Sequence, residues 1–200
     1  MSRLPPLDVL LVRHAESVPI GTPEYEQDDQ PLTAAGQAAA VELADELEPY
    51  QLNAIYSSPY PRSVQTVLPT ALRRGLEVQI LVDLRERRLS TLPLEEWREH
   101  LERAWQEADY APPGGETGRV AQRRAMAILD LLRSRHLDGG RLLVGSHGNL
   151  ISLVLQSLEP AVDFAFHMAM PMPALYRLTH DGVGWRVMGG HGFRSIADES

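Results

Sequence analysis

The sequence predicts an α/β fold: a three-layer α/β/α sandwich whose sheet is mostly parallel and carries an edge hairpin. Short apolar runs alternate with longer segments of helical periodicity, which is the pattern of repeated βα units. Two segments, 9–17 and 141–149, each carry an apolar run that leads to charged or polar residues. Continuous apolar runs are typical of strands buried on both faces of a parallel sheet. Near the end of the chain, 174–180 and 184–190 flank the turn sequence DGV and predict the hairpin.

The remaining elements follow from the same two patterns. Each expected strand is a short apolar run that ends at turn-forming residues. The first four strands are expected at 9–12, 53–59, 77–81 and 141–146. The expected helices place apolar residues at intervals of three or four. They lie at 33–48 with Thr33 as N-cap, after residue 59 with Arg62 near the start, at 94–108, from a Thr117 cap to about 137, and at 150–158.

The chain is expected to form one domain over residues 1–200. Two hundred residues suit a single domain, and no linker, internal repeat or low-complexity tract divides the sequence. Residues 89–116 combine a helical segment with the Pro-Gly loop PPGGE, so they are the expected lid insertion over the site. The loop at 18–31 leaves the first strand and could also close over that site.

Charge and targeting signals narrow the classes of partner. The chain carries 27 acidic against 19 basic residues, for a net charge of -8. This charge repels nucleic acid and anionic membrane surfaces, so neither is an expected partner. The first apolar run is too short for a signal peptide, and no run approaches the roughly 18 residues of a membrane span. We therefore expect a cytoplasmic protein.

Two missing residue types exclude several chemistries. The chain has no cysteine, which excludes disulfides, thiolate metal sites and cysteine nucleophiles. It also has no lysine, because all 19 basic residues are arginine. This excludes Schiff-base chemistry and the phosphate-binding lysine of P-loop proteins. A bound phosphate would be held by arginine, histidine or backbone N–H groups.

Residues suited to phosphate chemistry follow the predicted strands. Because parallel strands end at one edge of a sheet, these residues should meet there although they are distant in sequence. They are Arg13 and His14, Arg62, Glu86, and His147. Two guanidiniums and two imidazoles match a phosphoryl group with close to two negative charges. A neutral imidazole could attack the phosphorus of a phosphomonoester while Glu86 protonates the leaving oxygen.

Four segments also resemble the signature stretches of the histidine phosphatase superfamily, the phosphoglycerate mutase-like proteins. The first is LVRHAES, residues 11–17, and LRERR lies where that family places its acid. The other three agree in order and rough spacing: PLTAAG at 31–36, YSSPYPRSVQT at 56–66 and LLVGSHGN at 142–149. The resemblance covers most of the chain, and it implies a phosphoglycerate mutase-like fold.

The resemblance implies a role for each candidate residue. His14 would be the nucleophile that becomes phosphohistidine, and Glu86 would protonate the leaving group and later activate water. The groups that would bind the phosphoryl oxygens are Arg13, Arg62 and His147, with Ser17 and the backbone N–H of Asn149 as lesser contacts. The resemblance implies no metal and no other cofactor, since the Arg and His charges do the work of a divalent ion. The expected partner is a small phosphorylated metabolite.

Departures from the family pattern favour a phosphatase over a mutase. Ala15 stands where the family usually has Gly. Mutases carry an Asn a few residues later, where this chain has 18–20 (VPI), and the later stretch MPMPALYRL also lacks the family's Asn. The chain is shorter than typical cofactor-dependent mutases, which leaves less lid to retain a phosphorylated intermediate. Transfer to water is therefore the main expectation, with mutase-type phosphoryl transfer as the alternative.

Two other classes of function stay open. The stretch GSHGN comes near a serine hydrolase elbow, but Val144 stands where the first Gly of that motif is needed. A non-catalytic module on this fold would bind a phospho-ligand and leave the ester intact. An esterase would cleave acyl esters and ignore phosphate esters.

Other charged residues have simpler expected roles. Glu86 could instead be a surface acid paired with a neighbouring arginine. The arginines outside the candidate site are expected to be solvated: Arg73, Arg74, Arg85, Arg87, Arg88, Arg123 and Arg124. The remaining histidines lack the spacing of metal ligands: His100, His136, His167, His180 and His191. Oligomeric state and the natural substrate are not predicted.

Overall fold

One six-stranded sheet organises the molecule, as seen in a computed structural model that describes residues 4–19, 28–89, 94–111 and 113–193. The strand order is β3-β2-β4-β1-β5-β6. The strands are β1 (Leu7–Arg13), β2 (Ala54–Ser57), β3 (Val78–Ile80), β4 (Gly140–Ser146), β5 (Ala174–His180) and β6 (Trp185–Gly190). The first four are parallel, whereas β5 runs antiparallel to β1, and β6 to β5. The mostly parallel sheet with an edge hairpin is confirmed.

Helices cover both faces of the sheet. They are α1 (Ala34–Glu46), α2 (Pro61–Arg74), α3 (Leu94–Gln106), α4 (Gly118–Arg135), α5 (Gly148–Leu158) and α6 (Phe164–Ala169). Alternate residues of β1 point to opposite faces because strand side chains have a period of two. Val9 and Leu11 pack into a core with α4 and α5. Leu10 and Val12 pack into a second core with α1 and α2, which confirms three layers.

Helix starts agree with their sequence signals. The side chain of Thr33 accepts a hydrogen bond from the N–H of Gly36 at 3.0 Å, and that of Thr117 accepts one from Val120 at 3.1 Å. Each bond satisfies a backbone donor in the first helical turn. Pro61 occupies the first turn of α2, where the missing N–H costs no hydrogen bond.

The structure describes part of each of the two segments that were expected to lie over the site, residues 18–31 and 89–116. Residues 20–27 of the loop at 18–31, and 90–93 and 112 of the expected insertion, lie outside the described residues. Within the insertion, α3 places Trp105 against the core shared with α4 and α5. Among the described residues, no helix combines the length and apolar character needed to cross a membrane.

Candidate active site

The carboxyl edge of the sheet brings the candidate residues together. β1 ends at Arg13, β2 at Ser57 and β4 at Ser146, and these strands are parallel. A cavity of about 270 Å³ opens at this edge. Its lining includes Arg13, His14, Ser17, Arg62, Glu86 and Asn149. His147 lies directly behind His14, with a ring-centroid distance of 5.3 Å.

Backbone contacts at the end of β1 orient His14. Its N–H donates to the carbonyl of Ser146 at 3.1 Å, and its ring Nδ1 lies 2.7 Å from the carbonyl oxygen of Ala15. A carbonyl only accepts, so Nδ1 carries the proton and Nε2 keeps its lone pair. Ala15 is fully buried, and no non-glycine residue in the described part of the chain has a positive φ. The turn after His14 therefore accommodates Ala in place of the family's Gly.

His14 is neutral at physiological pH. Burial lowers its pKa from 6.5 to about 3, and the nearby Arg62 guanidinium contributes to the lowering. Both effects disfavour a positive ring, because charge is poorly solvated inside the protein and like charges repel. The uncharged ring presents a nitrogen lone pair, which a nucleophile requires.

The second imidazole, His147, is completely buried. Its Nε2 lies 2.7 Å from the hydroxyl oxygen of Ser58, and its Nδ1 has no hydrogen-bond partner among the described residues. Burial lowers its pKa well below 6.5, with smaller contributions from His14 and Arg62. If the Ser58 hydroxyl donates to Nε2, the proton of the neutral ring sits on Nδ1 and can serve as a donor.

Arg13 is held from two directions. Its guanidinium donates to the carbonyl of Met170, and it lies over the first residue of α5, Gly148. A Cβ at Gly148 would come within 2.9 Å of Arg13 Nε, so this close approach requires glycine. Burial lowers the pKa of Arg13 while the Glu86 carboxylate opposes that effect. The side chain nevertheless stays a cation.

The second guanidinium comes from the first turn of α2. Arg62 is buried, and it lies over the ring of Tyr60 at 4.8 Å from the centroid. Its carbonyl accepts from the hydroxyl of Thr66 at 2.7 Å, and that hydroxyl oxygen in turn accepts from the N–H of Ala15 at 2.9 Å. This chain of bonds connects α2 to the turn after His14. It fixes the position of Arg62 relative to the nucleophile candidate.

Glu86 lies at the N-terminus of α5. Its carboxylate accepts three backbone N–H bonds, from Arg87 at 2.8 Å, Leu150 at 3.0 Å and Asn149 at 3.1 Å. These bonds fix the orientation of the Glu86 carboxyl group beside the cavity. The N–H of Asn149 was expected to contact phosphate, and here it serves Glu86 instead. A phosphate could take this N–H only by displacing the carboxylate.

Buried arginines hold the segment that carries Glu86. Arg87 is fully buried and donates to the carbonyl of Glu116 at 2.9 Å. Arg124 forms a two-point ion pair with the Glu116 carboxylate, the shorter contact being 2.7 Å, and also donates to the carbonyl of Arg85. The expectation that Arg87 and Arg124 are solvated is therefore wrong, because both satisfy buried acceptors around this loop. Glu86 is presented to the cavity rather than paired as a surface acid.

Two further residues that the sequence singled out, Ser17 and Asn149, also line the cavity. Asn149 is buried, and neither polar atom of its side-chain amide has a hydrogen-bond partner in the described part of the chain. Buried polar atoms without partners are costly, so this amide is suited to a ligand group. Any phosphate contact of Asn149 would then come from its side-chain amide, because its backbone N–H is bonded to Glu86.

Three lining or supporting residues had no strong sequence signal. Gln30 and His167 both line the cavity, and Tyr60 packs on His147 with ring centroids 5.1 Å apart. Burial and a hydrogen bond with Asp28 raise the pKa of Tyr60 to about 12. His167 comes from α6, a helix with no buried face and hence no helical periodicity to predict it. Their approach to the site depends on tertiary packing.

The fold and site together define an α/β protein with paired guanidiniums and imidazoles at the carboxyl edge of its sheet. Comparison with known families agrees with that class: the model of the histidine phosphatase superfamily (branch 1) matches residues 9–189. The chain belongs to this superfamily. The match confirms the resemblance found in the four sequence segments.

Both mutases and phosphatases are similar to the chain. A 2,3-bisphosphoglycerate-dependent phosphoglycerate mutase of Bradyrhizobium diazoefficiens is 30% identical over 171 residues, covering 76% of this chain and 82% of the relative. Phosphoserine phosphatase 1 of Hydrogenobacter thermophilus is 33% identical over 138 residues, covering 64% and 65%. The structure of a mycobacterial glucosyl-3-phosphoglycerate phosphatase matches with a TM-score of 0.71 at 22% identity, over 92% of this chain and 98% of that one. At this identity the structural match shows the shared fold.

Proposed function

We propose that the protein is a metal-independent phosphomonoesterase that works through a phosphohistidine at His14. The observation that carries this proposal is the neutral His14 ring, whose Nδ1 is bonded to the Ala15 carbonyl while Nε2 is available beside two guanidiniums. This arrangement supplies a nucleophile and a site for an anion in one cavity. A small phosphorylated metabolite is the proposed substrate.

In the first step, His14 Nε2 attacks the phosphorus of the ester. A nitrogen–phosphorus bond forms as the bond from phosphorus to the leaving oxygen breaks. The carboxyl of Glu86, which lines the same cavity, gives its proton to that oxygen, so the product leaves as a neutral alcohol. Arg13, Arg62 and the Nδ1–H of His147 neutralise charge on the phosphoryl oxygens.

In the second step, water attacks the phosphorus and the nitrogen–phosphorus bond breaks. The Glu86 carboxylate takes a proton from the water, which restores the acid used in the first step. Phosphate leaves, and His14 returns to its neutral form. The cycle consumes one water and one ester, and the charges of two arginines take the place of a metal ion.

The direct test measures phosphate release from an aryl phosphate in the presence of a chelator. Wild type should be active, His14→Ala should lose nearly all activity, and His191→Ala, at an exposed turn residue, should retain it. When the reaction with a substrate labelled in its phosphoryl group is quenched rapidly without acid, the label should be found on the wild-type protein and not on His14→Ala. Equal phosphate release by wild type and His14→Ala would contradict the proposal, as would full loss of activity in chelator.

The role of Glu86 has a separate test. Glu86→Gln should slow esters with poor leaving groups far more than aryl phosphates, because an aryl leaving group needs little protonation. An equal effect on both classes would assign the acid to another residue.

Mutase-type transfer is the second candidate, and the Bradyrhizobium relative is the observation that favours it. A mutase would return the phosphoryl group to an organic hydroxyl rather than to water. Incubation with 3-phosphoglycerate and the bisphosphorylated form distinguishes the two. Phosphate release without isomerisation supports the phosphatase, and isomerisation faster than release supports the mutase.

A further inference from the structure

A third imidazole lies on the wall of the catalytic cavity. His167, in α6, lines the cavity together with Arg13, His14 and Met172. The mechanism proposed above does not use it. Its ring stacks on Trp105 of α3, with centroids 5.2 Å apart and an interplanar angle of 24°. The ring is therefore held in place by packing.

Hydrogen bonds fix which nitrogen of His167 carries the proton. Ser152 donates its single hydroxyl proton to the carbonyl of Gly148 at 2.8 Å, and its oxygen lies 3.1 Å from His167 Nδ1. With its proton committed, the Ser152 oxygen accepts, so Nδ1 is the donor. Burial also lowers the pKa of His167 to about 4, with the charge of Arg13 adding to the effect. The ring is neutral, and Nε2 is a hydrogen-bond acceptor.

This acceptor is poorly suited to the phosphoryl group itself. A lone pair on Nε2 repels the phosphoryl oxygens, which are acceptors too. The Nδ1 edge faces Ser152 and one ring face covers Trp105, which leaves the Nε2 edge for the cavity. The contact with Ser152 uses Nδ1, so it leaves the lone pair of Nε2 uncommitted. Its natural partner in the cavity is a donor on the organic part of a substrate.

We propose that His167 Nε2 selects substrates whose leaving group carries a hydrogen-bond donor, a hydroxyl or an N–H, close to the ester oxygen. This inference rests on the proposed phosphatase function and adds the class of leaving group. A donor-free alkyl phosphate would leave the Nε2 acceptor desolvated and without a partner, which lowers its reactivity. A buried site that hydrogen-bonds a substrate group discriminates strongly against an analogue that lacks it.

Three matched esters test the selection. They are 2-hydroxypropyl phosphate, propyl phosphate, and 2-methoxypropyl phosphate, whose ether oxygen accepts but cannot donate. For wild type, kcat/KM should be roughly 10- to 100-fold higher for the hydroxyl ester than for either of the others. A wild type that treats all three alike overturns the inference.

Two variants of His167 separate its acceptor from its packing. His167→Phe keeps a flat ring for Trp105 but removes the acceptor, so the ratio of kcat/KM between the hydroxyl ester and propyl phosphate should fall to about one. His167→Gln offers a carbonyl oxygen in place of Nε2 and should restore part of the preference. Met168→Leu, at an exposed position of the same helix, should leave the preference unchanged.

The outcomes distinguish this inference from the proposed function. Aryl phosphate hydrolysis that depends on His14, without any preference among the three esters, overturns the inference alone. A preference for the hydroxyl ester that persists in a folded His167→Phe also overturns it, because another group would then recognise the donor. Failure of wild type to cleave any phosphate ester overturns both.

Discussion

The rings of His14 and His147 lie edge to face, with centroids 5.3 Å apart and an interplanar angle of 61°. His14 directly follows β1 and His147 directly follows β4, so the contact joins segments more than 130 residues apart. Both rings are buried, and their pKa values are lowered, so the pair is uncharged. Two neutral imidazoles at one site can divide the tasks of nucleophile and hydrogen-bond donor.

The first prediction concerns the partner of His147. Ser58→Ala removes the hydroxyl that lies 2.7 Å from Nε2, so the proton of the ring can move to either nitrogen. We expect kcat/KM for an aryl phosphate to fall roughly twofold or more, because about half or more of the molecules lose the donor at Nδ1. Ser157→Ala, on a part of α5 far from the cavity, is the control. An unchanged kcat/KM in Ser58→Ala would show that Ser58 does not set the tautomer.

The second prediction concerns the space beside Arg13. In Gly148→Ala the new Cβ would lie 2.9 Å from Arg13 Nε and 3.0 Å from its Cζ, so the guanidinium must move. The inhibition constant of inorganic phosphate should rise about tenfold, since a well-placed hydrogen bond to a charged group contributes about 1.5–3 kcal/mol to binding. Thermal stability should change little because alanine favours the helix. Gly184→Ala, where a Cβ meets nothing within 4 Å, should leave phosphate inhibition as in wild type.

The third prediction concerns the buried ion pair behind Glu86. The side chains of Arg124 and Glu116 are only 9% and 14% exposed, and Arg124→Met leaves the carboxylate without its partner. We expect the free energy of unfolding to fall by about 3 kcal/mol. Turnover of esters with poor leaving groups should fall further than that of aryl phosphates, because the loop carrying Glu86 loses its anchor.

The control for that pair is an exposed one. Arg103 and Glu107 form an i,i+4 pair on α3 with both side chains 55% exposed. Arg103→Met should change stability and turnover little, since solvent screens exposed pairs. If chemical denaturation gave the two methionine variants the same stability, the importance assigned to the Arg124 pair would be refuted.

The fourth prediction concerns pH and stability. The pKa of His14 is about 3 in the folded protein and 6.5 as the ordinary value, so the unfolded chain binds the proton more tightly. The stability that the neutral His14 ring contributes is fully present at pH values above 6.5. It is lost as the pH falls from 6.5 toward the pKa of about 3 in the folded protein. Each such group changes the free energy of unfolding by about 1.4 kcal/mol per pH unit in that range.

A comparison at two pH values measures this effect. Between pH 7 and pH 5, the loss of unfolding free energy should be smaller in His14→Asn than in wild type by about 2 kcal/mol. Ser63→Ala changes a buried residue that does not titrate, so it should lower the free energy of unfolding by the same amount at pH 7 and at pH 5. Identical losses in wild type and His14→Asn would mean that His14 is not held neutral by the fold.

The sequence was sufficient to predict the sheet and the arrival of distant residues at one edge. Strand alternation, the threonine caps and the apolar runs are local signals, and the parallel strands carry Arg13 and His147 to the same rim. The partner of the Asn149 N–H was not predictable in this way. It depends on how the Glu86 loop packs against α5, which is a tertiary contact.

Burial of charged residues was also beyond the sequence. Arg87 looks like its neighbours in the run RERR, yet it alone is fully buried among them. What distinguishes it is a set of carbonyl acceptors supplied by Ala104 and Glu116, which lie in later segments. His167 is a similar case, because its place in the cavity depends on the packing of a short helix.

The position of β1 has a consequence for how the protein is made. The ribosome releases this strand before either of its two hydrogen-bonding neighbours, β4 at residues 140–146 and β5 at residues 174–180. This seven-residue strand, which is apolar at residues 9–12, therefore has neither neighbour to pair with until those later segments have been synthesised. The sheet cannot be completed before β5 has been synthesised, and the unpaired strand is exposed to self-association for that interval.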